Sequence, residues 1–251
     1  MYRGWQIAVV VPAFNEARLL PVTLSGLPDF IDLVIVVDDA STDQTLVAAR
    51  PFGGRVEVIR HARNLGVGGA IVTGYRRALA LGVRATVVVG ADAQMDPQEM
   101  HRLLDALIDG RADYAKGDRL GHPEVLRRMP LVRYLGSRVL SLLTRLATGY
   151  SPLRDPQCGY TAITRQALSA LPLDGVYERY GFPNDLLAKL SQIGARVVDC
   201  PVSPIYGDEV SRLRVARVIL PISRLLLRAV LARLLRSVRV SNEAQEPNVA
   251  R

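Results

Sequence analysis

Leu33-Val34-Ile35-Val36-Val37-Asp38-Asp39 decides how the rest of the chain is read: five aliphatic residues in a row, then two carboxylates. A strand with one wet face alternates polar and apolar residues, whereas one covered on both faces reads as an unbroken apolar run. Upstream, residues 7–11 form a second such run that stops at Pro12, and residues 17–27 carry Leu19, Leu20, Leu24 and Leu27 at helical spacing. Downstream, Ser41 to Asp43 start a helix that runs into 46–49, and 56–59 is a third strand. Gly66 to Gly69 open a helix over 70–81, and a fourth strand over 85–89 ends at Gly90-Ala91-Asp92. Strand, loop and helix repeat four times. That predicts an α/β, Rossmann-like fold: a mostly parallel sheet with helices on both faces.

After Pro97 the pattern loosens. A helix is expected over 98–108, a short strand over 114–117, helices over 165–171 and 183–194, and a last strand at Val197–Pro201. From Leu131 onward, Tyr134, Arg138, Ser141, Arg145 and Thr148 recur among Leu135, Val139, Leu142, Leu143 and Leu146, which is amphipathic helix periodicity. A second arginine-studded aliphatic stretch covers 212–240, with Arg214, Arg217, Arg224, Arg228, Arg236 and Arg239 on one side and Pro221 kinking or restarting the helix. The expected organisation is a catalytic domain at 1–211, a basic amphipathic segment at 212–240 and a disordered tail at 241–251, which has no core-forming residues.

Composition narrows the function classes. With 251 residues, 49% of them hydrophobic, the chain can bury a sizeable core. Its 32 Lys and Arg against 24 Asp and Glu give +8, which suits phosphate-bearing substrates or an acidic membrane surface. Nucleic acid is not an expected partner, because no recognised motif or aromatic–basic platform accompanies the charge. Cys158 and Cys200 have no metal or disulfide spacing and read as buried thiols. His61, His101 and His122 stand in polar contexts and read as surface residues. No signal-peptide pattern opens the chain, and no stretch approaches the roughly 20 apolar residues that span a bilayer. A cytoplasmic protein is expected.

In parallel sheets ligands bind beyond the carboxyl ends of the strands, and Glu16, Asp38, Asp39 and Asp92 all fall there. Asp92, with the Gln94 amide two residues on, suits a hard cation such as Mg²⁺ or Mn²⁺, which would neutralise charge on a departing diphosphate. Asp96 reads as a cap for the helix that starts near Pro97. Within Asp38-Asp39, one carboxylate can accept from a base or ribose. Alternatively Asp38, Ser41 and Asp43 end the strand and cap the next helix, and the two roles can be shared between the pair.

Four segments together resemble glycosyltransferase family 2. They are Val11-Pro12-Ala13-Phe14-Asn15-Glu16, Val36-Val37-Asp38-Asp39-Ala40-Ser41-Thr42-Asp43, Asn64-Leu65-Gly66-Val67-Gly68-Gly69-Ala70 and Gly90-Ala91-Asp92-Ala93-Gln94-Met95-Asp96-Pro97. They are similar to the family's VPxYNE, VVDDGSTD, NxGxGxA and DADxQxDP motifs, in that order, and the likeness is strongest to the bacterial branch near dolichyl-phosphate mannose synthase. The resemblance covers about residues 6–210 and implies a GT-A fold, a GDP- or UDP-sugar donor and inverting transfer. By position, Pro12, Phe14, Glu16 and Asp39 would hold the nucleoside, Ala91 and Asp92 would meet the donor, and Asp92 with Gln94 would hold the metal. Gly90 stands where the metal motif has its first Asp, and Phe14 where the family has Tyr.

Further on, Gly117-Asp118-Arg119 resembles the GSR of the polyprenyl-phosphate branch, which makes Arg119 and, more loosely, Arg133 candidates for an acceptor phosphate. Arg133 reads equally as part of a solvated helix face. The segment from Asp155 to Ala162 resembles the acceptor-side loop, where Gln157 would touch sugar hydroxyls. Asp185, in Asn184-Asp185-Leu186-Leu187, matches the family's catalytic acidic position. A sugar hydroxyl would need it as a base, whereas a lipid phosphate arrives mostly ionised and would leave it an orienting role. The segment from Tyr206 to Leu213 resembles a flexible family loop after the last strand, and by that resemblance Arg212 and Arg214 would close over the donor diphosphate.

The expectation is therefore a metal-dependent hexosyltransferase acting on a polyprenyl phosphate, peripherally bound to the inner face of the plasma membrane through 124–148 and 212–240. A saccharide hydroxyl is the alternative acceptor. For the basic helices the alternatives are packing on the domain and a homo-oligomer interface. A nucleotidyltransferase would need a glycine-rich loop with a basic residue after the first strand, and Pro12 to Glu16 supply none.

Overall fold

A computed structural model describes residues 1–129, 131–205 and 221–234. Its strands are β1 (Ile7–Ala13), β2 (Leu33–Asp38), β3 (Val56–Arg60), β4 (Ala85–Val88), β5 (Tyr114–Asp118), β6 (Thr161–Thr164) and β7 (Val197–Pro201). They form one sheet in the order β3-β2-β1-β4-β6-β5-β7. Every pairing is parallel except those of β6, which runs antiparallel to both β4 and β5. The helices are α1 (Leu20–Gly26), α2 (Thr45–Ala49), α3 (Val67–Leu81), α4 (Met100–Ile108), α5 (Val125–Arg128), α6 (Leu131–Thr148), α7 (Arg165–Ala170), α8 (Phe182–Gln192) and, at 221–234, α9.

The period of two along β1 divides the core. Ile7, Val9 and Val11 pack with Leu20, Leu24, Leu103 and Leu107 on one face. Ala8 and Val10 pack with Ile35, Val37, Tyr75, Leu186 and Leu190 on the other. Both faces are covered, which is why β1 and β2 carry no polar alternation. α3 lies directly on β1: a Cβ at Gly74 would come within 2.3 Å of Val10 Cγ1.

Several elements differ from the sequence reading, α1 and β6 most. α1 begins at Leu20 rather than near 17, because Pro21 fills its first turn and the Leu19 and Leu20 amides instead close a turn on the Glu16 carbonyl. β6 was not expected; four residues with Thr at both ends carry too little periodicity to register. Its register, Val88 opposite Thr161, sets the loop at 155–160 beside the one that follows β4.

Over 221–234, α9 buries Ile222, Leu226 and Ala229 against Ala147 of α6 and Ala188 of α8. Both amphipathic helices thus pack inward through a narrow face. Outward, α6 exposes Leu131, Leu135, Val139, Leu142 and Leu146, and α9 exposes Leu227, Leu231 and Leu234. Arg212, Arg214 and the tail at 241–251 lie outside the described residues.

Candidate functional site

The carboxyl ends of β1 and β2 are stitched together. The Asn15 amide donates to Ser41 Oγ at 2.9 Å, the Thr42 amide to Asn15 Oδ1 at 2.8 Å, and the Glu16 amide to Thr45 Oγ1 at 2.8 Å. Asn15, Ala40 and Ala93, following β1, β2 and β4, all adopt positive φ near +60°. Left-handed backbone at a non-glycine residue costs about 1–3 kcal/mol and collects at functional sites. Pro12 is half-buried at this rim, Phe14 is exposed and Glu16 is half-buried.

The two carboxylates at the end of β2 do different work. Asp38 is buried; its Oδ1 accepts the Ser41 amide at 3.1 Å, and its Oδ2 lies 3.3 Å from Arg60 Nε. Asp43 accepts the Thr45 amide at 2.9 Å and so starts α2. Asp39 turns the other way. It accepts the Leu65 and Gly66 amides, each at 2.8 Å, and meets His61 Nδ1 at 2.7 Å. An ionised carboxylate can only accept, so Nδ1 carries the proton, and in the neutral ring Nε2 accepts from Thr73 Oγ1 at 2.9 Å. The expectation that His61 is a surface residue is therefore corrected: its side chain is 9% exposed. The register of Asp38 with Arg60 brings the next residues of the two strands together, and no local motif announces that.

The glycine turn beyond His61 supports a neighbouring segment. The Gly68 and Gly69 amides donate to the Glu178 carbonyl at 2.7 and 3.1 Å, and a Cβ at Gly68 would come within 2.6 Å of the Tyr177 carbonyl oxygen. The Tyr177 amide in turn donates to Asp185 Oδ2 at 2.8 Å, with Lys189 Nζ 3.4 Å from the same oxygen.

At the end of β4, Asp92 is half-buried and its Oδ1 accepts the Gln94 amide at 3.2 Å. Ala91 is buried beneath it. Neighbours pin the loop: the Ala93 amide donates to Thr23 Oγ1 at 3.2 Å, and Tyr160 OH to the Asp96 carbonyl at 3.1 Å. Asp96 Oδ1 accepts the Gln98 amide at 2.9 Å, the cap expected from the sequence. A Cβ at Gly90 would lie 2.9 Å from Asp92 Oδ1. Among the described residues no three His, Cys, Asp or Glu converge on one point. The half-buried Asp92 carboxylate is the oxygen ligand this loop offers, and a hard cation commonly takes one carboxylate together with substrate phosphates.

Just beyond β5, the buried Asp155 carboxylate grips Arg119 with two contacts, to Nε at 2.7 Å and to Nη2 at 3.2 Å. Burial raises the Asp155 pKa, but the Arg119 and Lys116 charges and the Arg119 hydrogen bond outweigh it, leaving the carboxyl below its ordinary value. Lys116 is wholly buried in β5 and donates to the carbonyls of Asp155 and Cys158, the latter at 3.1 Å. Asp199 completes this cluster with its pKa pushed up to about 6, mainly by burial, and its Oδ1 makes no hydrogen bond. Cys158 and Cys200 are buried free thiols, as expected. Gln157 Nε2 donates to Asn184 Oδ1 at 2.6 Å, so Asn184 and not Asp185 faces this loop. Adjacent helical residues point about 100° apart, which sequence alone does not orient. Arg133 lies in the first turn of α6.

The glycosyl transferase family 2 model matches residues 8–171. The chain belongs to that family. The transferase is 32% identical over 207 residues to an undecaprenyl-phosphate mannosyltransferase of Micrococcus luteus, covering 79% of this chain and 83% of that one. It is 28% identical over 218 residues to a UDP-N-acetylglucosamine–dolichyl-phosphate N-acetylglucosaminyltransferase of Methanococcus voltae, covering 80% and 86%. A polyprenol monophosphomannose synthase of Mycolicibacterium smegmatis is 31% identical over 204 residues, with 78% and 76% covered. Among solved structures, glucosyl-3-phosphoglycerate synthase from Mycobacterium tuberculosis with Mn²⁺, UDP and phosphoglyceric acid superposes with a TM-score of 0.67 at 23% identity, covering 92% of this chain and 78% of that one. The family 2 transferase shares its GT-A fold.

Proposed function

We propose that this enzyme moves a hexose from a GDP- or UDP-sugar to a polyprenyl phosphate, with inversion, at the inner face of the plasma membrane. One observation carries the choice of acceptor. The Asp185 carboxylate, the candidate base, is held by the Tyr177 amide and Lys189, and its neighbour Asn184, which faces the 155–160 loop, is an amide that takes no proton. A sugar hydroxyl needs a base in the transition state. A phosphate monoester, with its second pKa near 6, arrives ionised and needs only placing. The names of the three relatives point to the same acceptor class.

In this reading Phe14 stacks on the base, and Pro12, Glu16 and Asp39 line the nucleoside site, with Ala91 and Asp92 at the donor diphosphate. His61 and the glycine turn hold Asp39 in place. A Mg²⁺ or Mn²⁺ ion, when bound, would sit on Asp92 and Gln94 and neutralise charge on the leaving diphosphate; the related synthase was crystallised with each ion. Arg119, oriented by Asp155, and Arg133 take the acceptor phosphate. Asp185 is a positioning residue: it fixes the 177–178 segment against the glycine turn whose Leu65 and Gly66 amides bind Asp39.

No described helix is long and apolar enough to cross a membrane. The exposed leucine stripes of α6 and α9, flanked by exposed Arg138, Arg145, Arg224 and Arg228, suit a helix pair lying on an anionic bilayer.

The test is a panel of UDP- and GDP-hexoses with Mn²⁺ or Mg²⁺, with and without polyprenyl phosphate, scored for lipid-linked product. Product that forms only on a saccharide acceptor overturns the proposal. Asp92→Asn should abolish metal-dependent turnover, and unchanged turnover refutes the metal assignment.

A further inference from the structure

The direction of one buried chain of hydrogen bonds is set from its far end. The Leu140 carbonyl in α6 can only accept, so Thr144 Oγ1 must donate to it, at 2.8 Å. With its single proton used, Thr144 Oγ1 meets Asn184 as an acceptor and takes the Nδ2 amide at 2.7 Å. Asn184 Oδ1 is thereby turned toward Gln157, whose Nε2 donates to it at 2.6 Å. The orientation of the Gln157 amide follows: its NH₂ is bound inward, and its carbonyl oxygen is left to face the other way. Among the described residues no donor reaches that oxygen.

Burial locks this arrangement. Thr144 is 0% exposed and Asn184 1%, so water cannot rescue a flipped amide, and a reversed Asn184 would set two donors against each other. Two polar side chains buried between α6 and α8 are costlier than an aliphatic pair unless every bond is made. The fold keeps them beside the loop that flanks Asp92: Tyr160 OH binds the Asp96 carbonyl, and a Cβ at Gly159 would touch Met95 Cε at 3.3 Å.

We propose that Thr144 and Asn184 are positioning residues that commit Gln157 to present a hydrogen-bond acceptor to the donor hexose, so that the site selects a sugar by one of its hydroxyl groups. This rests on the transferase reading given above and deepens it. An ionised acceptor phosphate offers only acceptors and would be repelled by the Gln157 carbonyl, so the hydroxyl read there belongs to the donor sugar.

The test measures binding, not transfer. Dissociation constants with Mn²⁺ are determined for UDP, GDP, UDP- and GDP-hexoses and the monodeoxy and monofluoro analogues of whichever sugar nucleotide binds. The proteins are wild type, Thr144→Val, Thr144→Ser and Asn184→Leu. In wild type, one hydroxyl position should show at least about a tenfold loss on replacement by hydrogen or fluorine, because fluorine cannot donate. Thr144→Val and Asn184→Leu should shrink that ratio below about threefold while the nucleoside diphosphate binds unchanged, and Thr144→Ser should restore it. Discrimination that survives in Thr144→Val, or no discriminated position in wild type, overturns the proposal. No lipid enters the titration, so a wrong acceptor leaves this result intact, whereas loss of nucleoside diphosphate binding in wild type sinks the transferase reading and this inference together.

Discussion

His61 Nδ1 lies 2.7 Å from Asp39 Oδ1, and the same ring reaches Thr73 Oγ1 with its other nitrogen at 2.9 Å. The imidazole therefore ties the end of β2 to the body of α3, and it fixes a carboxylate whose two oxygens also hold the Leu65 and Gly66 amides. Asp39 cannot turn without breaking several bonds at once.

His61→Ala should raise KM for the nucleotide-sugar by about tenfold, with a smaller change in kcat, since a hydrogen bond to a charged group is worth about 1.5–3 kcal/mol. Thr73→Val should give a milder form of the same effect. Steady-state kinetics at saturating acceptor would show it; a KM unchanged in both variants removes His61 from the donor site.

Ala40 has φ +60°, at a position where the motif it resembles carries glycine. Ala40→Gly relieves left-handed strain of about 1–2 kcal/mol and gives back part of it as unfolded-chain entropy. The expected net gain is about 1 kcal/mol, seen as a rise of about 2–4 °C in Tm for a chain of this size. A lower Tm would mean that the Ala40 methyl packs usefully.

Lys116→Met should destabilise by about 3 kcal/mol. It leaves the Asp155 and Cys158 carbonyls unpaired and strips a buried cation from beside Asp155 and Asp199. Urea unfolding should show a lower midpoint at unchanged m; a midpoint equal to wild type would mean that the lysine makes no net contribution.

Asp199 sets a pH dependence whose sign can be worked out. Its pKa in the fold is about 6, against an ordinary value of 3.8, so between those values the folded chain binds the extra proton. Stability from this group is complete below about pH 4 and is lost as pH rises through 6, on the order of 2–3 kcal/mol. Asp199→Asn should therefore be more stable than wild type at pH 8 and close to it at pH 4. Equal Tm differences at both pH values would show that Asp199 is not held protonated.

Leu135→Asp with Leu142→Asp should release the protein from anionic vesicles while leaving its Tm near wild type, because both side chains already face outward. Undiminished flotation of that double variant would assign the α6 stripe to something other than lipid.

Sequence alone determined the parallel half of this protein. The aliphatic runs at β1 and β2 read as strands covered on both faces, and the repeated strand–loop–helix alternation predicts their parallel order. It also identified Asp96 as a cap. Tertiary structure alone decided what each polar residue faces. Strand register brought His61 against Asp39, the antiparallel β6 set the 155–160 loop beside the one that follows β4, and a turn of about 100° between neighbours on α8 gave Gln157 Asn184 as its partner and sent Asp185 elsewhere. A residue's type fixes what bonds it can make, but its partner lies tens of residues away and is chosen only when the sheet closes.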